Sequence, residues 1–96
     1  MGDQPYEQDE AEAKLEELAV EWALVGGFQL ERVYEFADFA SALAFVNRVG
    51  EVAEKAQHHP DIELTWGKVV LHLSTHSVGG LTAADFELAR AIDKVD

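Results

Sequence analysis

The chain has no cysteine, and this one absence removes several chemistries at once. Disulfides, thiolate nucleophiles and every metal site built on sulfur are excluded. Basic residues are scarce: seven Lys and Arg stand against nineteen Asp and Glu, for a net charge of −12. A partner held through phosphates needs Lys and Arg to displace counterions, so direct nucleic-acid binding is not expected. Eight of the nineteen acidic residues fall in the first twenty-one positions beside a single Lys, which reads as a solvated acidic face. Long apolar runs are missing too, with none near the roughly twenty residues that a membrane-spanning helix needs. The acidic opening MGDQPYEQDE is the opposite of a basic signal-peptide start, so a soluble cytoplasmic protein without a membrane partner is expected. VGGF and VGGL lack the pattern of a phosphate loop, and neither Ser74 nor Ser77 sits in a nucleophile elbow.

What is present suffices for one folded unit. Ninety-six residues, 48% of them hydrophobic, suit a single domain with a continuous core. Residues 1–8 show no period and read as a flexible acidic tail, leaving 9–96 as the domain. From Asp9, a candidate cap paired with Glu12, the positions Ala11, Leu15, Leu18 and Trp22 recur at helical spacing. WALVGGFQLERVYEF then predicts two strands turning at Gly26 and Gly27, with Leu30, Arg32, Tyr34 and Phe36 on one face of the second.

DFASALAFVNRVGEVAEKAQ predicts a long helix over 38–57 with Phe39, Leu43, Val46, Ala53 and Ala56 as its apolar stripe. Gly50 interrupts that helix and suggests close packing against a neighbour, while Pro60 ends it by His59. DIELTW and KVVLHLSTH form a second hairpin through Gly67, with Val69, Leu71 and Leu73 on one face and Val70, His72, Ser74 and His76 on the other. Leu81, Thr82, Asp85 and Phe86 spell a capping box with a hydrophobic staple that opens a last helix. The order α-β-β-α-β-β-α predicts an α+β fold: one four-stranded antiparallel sheet covered by helices.

All four histidines lie within nineteen residues. His58 and His59 fall at a helix C-terminus, where an imidazole has an ordinary role against the dipole. Two in succession, with His76 ending a strand seventeen residues later, suggest loops converging at one sheet edge. Spacing alone leaves both readings open. Asp85 is accounted for as a capping carboxylate, yet it lies just past the His76 loop and could also orient an imidazole. His72 reads as structural, and Trp22 and Trp66 as aromatics of the core or its edge. Zinc ligation by three His and an Asp is disfavoured, because adjacent His58 and His59 rarely reach one ion and His72 and His76 lie four apart on a strand. No metal is expected.

The segment EKAQHHPDIELTWGKVVLHLSTHSVGGLTAADFELA, residues 54–89, resembles the pterin-4a-carbinolamine dehydratase family. Glu54 stands ahead of the His58, His59 and Pro60 triplet, followed by Trp66, then His76 within STH, then Asp85. The likeness extends upstream through Trp22 and FADFASALAFVNRV. It implies an α+β domain whose sheet joins its twin in a homodimer, with dimers sometimes pairing into a homotetramer. It implies dehydration of 4a-hydroxytetrahydropterin to quinonoid dihydropterin without metal or organic cofactor, in recycling the pterin of an aromatic amino-acid hydroxylase. On that resemblance His58 and His76 are the acids that protonate the C4a hydroxyl, His59 holds the pterin and serves as base, and Asp85 supports them. Gln57, Ser74, Thr75 and Ser77 then line the pocket, Ser77 standing where family members often carry an acidic residue. Relatives that act as dimerisation cofactors or assembly chaperones offer a second function class, a non-catalytic module on the same fold.

Overall fold

A computed structural model describes residues 4–96. The elements are α1 (Gln8–Leu15), β1 (Ala23–Val25), β2 (Gln29–Glu35), α2 (Phe39–Ala56), β3 (Asp61–Thr65), β4 (Lys68–Leu73) and α3 (Ala83–Val95). The strands make one antiparallel sheet in the order β1-β2-β4-β3. Both hairpins and the α+β order are as the apolar alternation predicts. Gly26 and Gly27 take φ of 64° and 79°, a conformation glycine adopts without a Cβ penalty, and so close the first hairpin.

Register places Leu30 of β2 opposite Leu73 of β4, and Tyr34 opposite Val69. These inward residues, with Leu71, join Ala11, Phe45, Val49, Leu88, Ala89 and Ile92 from the helices in one buried cluster. Each fully buried Leu or Phe side chain there contributes about 1.5–3 kcal/mol. The opposite face carries exposed Glu35, Glu63 and Lys68, so the helices cover one side of the sheet. Among the described residues no helix is long and apolar enough to cross a membrane.

Several details depart from the sequence reading. Of the expected tail, residues 1–3 lie outside the described residues, while the Tyr6 N–H donates to the Leu81 carbonyl at 2.7 Å and its ring packs on Phe86. The cap of helix α1 lies two residues ahead of the expected one: Glu7, not Asp9, precedes the helix, and the Glu7 N–H donates to Glu10 Oε1 at 3.2 Å. It stops at Leu15, because the N–H groups of Glu17 and Leu18 bond three residues back and tighten the chain into turns. Leu18 and Trp22 reach the core from those turns.

In α2 the period is right and the expected stripe holds only in part: Ala53 is buried and Val46 packs against the core, but Phe39, Leu43 and Ala56 face water. Ala42, Phe45, Val49 and Ala53 are buried, whereas Phe39 and Leu43 are each 40% exposed. Phe45 decides the rotation by stacking on Tyr34 at 4.4 Å and Phe36 at 5.4 Å. A Cβ added at Gly50 meets nothing within 4 Å, so the expected close packing there is absent. Trp66 is not a core residue either; it is 71% exposed.

Two polar clusters fix the ends of the helices. Asp38 caps α2 by accepting from the Ser41 N–H at 2.8 Å, and that backbone bond, helped by the Ser41 side chain, holds the carboxyl below its usual range. Asp93 of α3 accepts from Trp22 Nε1 at 2.9 Å and from Arg32 Nη1 at 2.8 Å, tying the first hairpin to the last helix. Beside Arg32, burial pushes the Tyr34 phenol well above its ordinary range and keeps it neutral.

Candidate active site

The end of α2 sets the site. Gln57 adopts left-handed φ and ψ of 54° and 39°, uncommon for a residue with a Cβ. Its side-chain amide donates to the Glu54 carbonyl at 2.7 Å, and the His58 N–H donates to the Ala53 carbonyl at 3.2 Å. Carbonyls left open by the helix end are thereby satisfied, and the reversal of the chain throws His58 and His59 outward before Pro60.

The second wall comes from the segment after β4. Thr75 and Gly80 pair as an isolated bridge, with the Thr75 N–H donating to the Gly80 carbonyl at 2.7 Å. Gly79 turns the loop with φ of 68°, and His76 and Ser77 sit at its tip. Gln57, His58, His59, Ser74, Thr75, His76 and Ser77 together line a pocket of about 250 Å³. Asp85 stands behind that lining, fully buried at the start of α3. His72 is elsewhere: it faces the uncovered side of the sheet and meets Glu31 at 2.7 Å.

Three imidazoles around one pocket have three different surroundings. His58 Nε2 lies 2.6 Å from Asp85 Oδ1, with the His58 side chain 17% exposed. The other Asp85 oxygen, Oδ2, accepts from Thr75 Oγ1 at 2.7 Å and from the Thr82 N–H at 2.9 Å. Asp85 is thus both the capping carboxylate of α3 and the partner of His58. His59 Nε2 meets Glu54 Oε2 at 2.5 Å, but both side chains are more than half exposed, where an ion pair stabilises little. His76 is exposed. Such a set can deliver a proton from one imidazole and accept one at another, the requirement of general acid-base chemistry.

A larger cavity of about 390 Å³ lies between α2 and α3, with Val52, Ala56, Leu88 and also His58 on its walls. It is mostly apolar and offers no second imidazole, whereas the smaller pocket gathers three. Among the described residues no three His, Asp or Glu side chains are grouped to hold a metal ion.

The sequence reading missed two contacts. Thr75 stands in the lining, and its hydroxyl donates to the buried Asp85 Oδ2 at 2.7 Å, a contact the sequence reading does not name. Strand parity carried that signal, since Thr75 lies two residues beyond inward Leu73 and so points to the helix side. The Glu54 carboxylate on His59 follows from the left-handed residue between them, which spacing does not reveal.

Comparison with known proteins agrees with this architecture. The family profile described as Pterin 4 alpha carbinolamine dehydratase matches residues 4–95. A provisionally named pterin-4-alpha-carbinolamine dehydratase of Alkaliphilus metalliredigens is 40% identical over 94 residues, covering 98% of this chain and 85% of the relative. Another, from Acidobacterium capsulatum, is 55% identical over 65 residues, or 68% of this chain and 71% of the relative. The crystal structure of a transcriptional coactivator/pterin dehydratase from Brucella melitensis superposes with a TM-score of 0.87 at 30% identity, covering 96% of this chain and 98% of that one. A pterin dehydratase-like protein described as a RuBisCO assembly factor in the alpha-carboxysome matches with a TM-score of 0.59 at 20% identity, over 70% of this chain and 77% of that one. That last likeness is one of fold alone. With all but the last of its described residues matched by the profile and its fold shared with a solved relative, the chain belongs to the pterin 4 alpha carbinolamine dehydratase family.

Proposed function

We propose that the chain dehydrates a 4a-hydroxytetrahydropterin to the quinonoid dihydropterin by imidazole acid-base catalysis. The observation that carries this reading is the pocket itself, where His58, backed by the buried Asp85 carboxylate, faces the same space as His59 and His76. The reaction breaks the C4a–O bond and removes the proton from the neighbouring ring nitrogen, forming a C=N double bond and water. One proton goes to the leaving oxygen and one comes off nitrogen, so the step is redox-neutral and uses no net proton. Imidazole serves both transfers near neutral pH.

In this reading His58 and His76 are the acids, one for each face of the pterin, and His59 holds the ring and acts as base. The hydroxylated pterin would be supplied by an aromatic amino-acid hydroxylase in the cytoplasm. Association into a homodimer or homotetramer is supported by the apolar residues left in water, Phe39, Leu43, Ile62 and Trp66. The same surface favours a second reading, an assembly module without catalysis.

The test is the rate of loss of 4a-hydroxytetrahydropterin with purified protein. Acceleration over the uncatalysed reaction is expected, together with a fall of at least about 100-fold in His59→Ala. No acceleration, or an unchanged rate in the variant, would sink the dehydratase reading and leave the assembly module.

A further inference from the structure

We infer that Thr75 is a positioning residue: through Asp85 its hydroxyl keeps the His58 proton on Nε2, making Nδ1 the nitrogen that exchanges protons with the pocket. The inference rests on the dehydratase reading for its catalytic consequence and on hydrogen-bond valence for its geometry. Asp85 is fully buried, and an ionised carboxylate only accepts. The Thr75 hydroxyl, 2.7 Å from Oδ2, is therefore the donor. A hydroxyl has one proton, so in the 2.9 Å contact between Thr75 Oγ1 and Thr82 Oγ1 it is Thr82 that donates. Thr82 Oγ1 in turn accepts from the Ala84 N–H at 3.3 Å. Every donor in the chain runs one way, toward the carboxylate.

Oδ2 is thus occupied by Thr75 and the Thr82 N–H, which holds the carboxylate in place and leaves Oδ1 for His58. At 2.6 Å from an acceptor, Nε2 must carry a proton in the neutral ring as well as in the charged one. Nδ1 has no hydrogen-bond partner among the described residues and is free to gain or lose the proton that the reaction moves. A Thr75 hydroxyl aimed at the pterin would instead contribute to binding, so the two roles separate in kinetics.

The experiment compares wild type with Thr75→Val, which keeps the shape and removes the hydroxyl, and Thr75→Ser, which restores it. Nitrogen-15 NMR of the neutral His58 ring reads the tautomer, and steady-state kinetics on 4a-hydroxytetrahydropterin read the consequence. The wild type should show the Nε2–H form. Thr75→Val should show a mixture, with kcat lower by about tenfold and KM unchanged, as follows from loss of one hydrogen bond to a charged group. Thr75→Ser should recover both. A raised KM with unchanged kcat, or a valine variant with the wild-type tautomer, overturns the inference. If the valine variant does not fold, the wild-type spectrum decides, because an Nδ1–H ring contradicts the donor chain. If the wild type does not turn over the pterin, only the dehydratase reading fails, and the tautomer measurements still judge Thr75.

Discussion

Asp85 concentrates two duties in two oxygen atoms, and its replacement separates them. In Asp85→Asn one acceptor oxygen remains beside an NH₂ group that can only donate. Keeping the amide oxygen under the Thr75 hydroxyl and the Thr82 N–H preserves the cap of α3 and turns the NH₂ toward His58. His58 Nε2 must then accept, which drives its proton to Nδ1. The expected outcome is a folded protein, less stable by about 1.5–3 kcal/mol for the weakened charged bonds, with kcat down at least about 100-fold. Nitrogen-15 spectra should show His58 as the Nδ1–H form; full activity in this variant would show that the carboxylate is not needed. At this scale the sequence was informative where chemistry is written in residue type. His58, His59, Pro60 and His76 stand out by type and crowding, although spacing alone leaves them and Asp85 open to structural readings until the family resemblance is added. Thr75 does not stand out, because the role of a hydroxyl depends on which way the strand turns it.

At the scale of the element, α2 shows why period and phase are different kinds of information. Two stripes along this Ala-rich helix are apolar, one through Phe39, Leu43 and Val46 and one through Ala42, Phe45 and Val49. Either satisfies helical spacing, and only contact with Tyr34 of β2 and with Phe36 just beyond it selects the second. The hairpins were legible because Gly26, Gly27 and Gly67 punctuate strict alternation, whereas the end of α1 was not, since turns deliver Leu18 and Trp22 at the same spacing as a helix. The rejected stripe of α2 carries a consequence for Gly50. It lies in the helix interior with open space around its α-carbon. Gly50→Ala should therefore stabilise the protein by up to about 1 kcal/mol, by reducing the freedom of the unfolded chain. Urea denaturation should show a higher midpoint at unchanged slope, and a lower midpoint would mean that something packs on this side of α2.

For the whole molecule, charge and apolar surface act in opposite directions. Strand order leaves β3 at an edge, with backbone groups free to pair. Ile62 and Trp66, on and beside that edge, are 37% and 71% exposed, and the uncovered α2 stripe adds Phe39 and Leu43. Apolar surface of this kind favours a second copy of the chain, while a net charge of −12 on each copy opposes it. Composition displays the repulsion, but the attraction becomes visible only once the phase of α2 and the exposure of Trp66 are known. If the proposed homo-oligomer forms, added salt must strengthen it: screening shortens the reach of like charges from about 10 Å at 0.1 M to about 3 Å at 1 M and leaves apolar burial intact. Sedimentation at rising salt should show the wild type shifting toward the larger species. Leu43→Gln with Trp66→Gln, which changes no charge, should give single copies across the same range while the histidine pocket stays formed. A wild type that sediments as single copies at every salt concentration would remove self-association from the reading, and with it the reason proposed for the exposed apolar face.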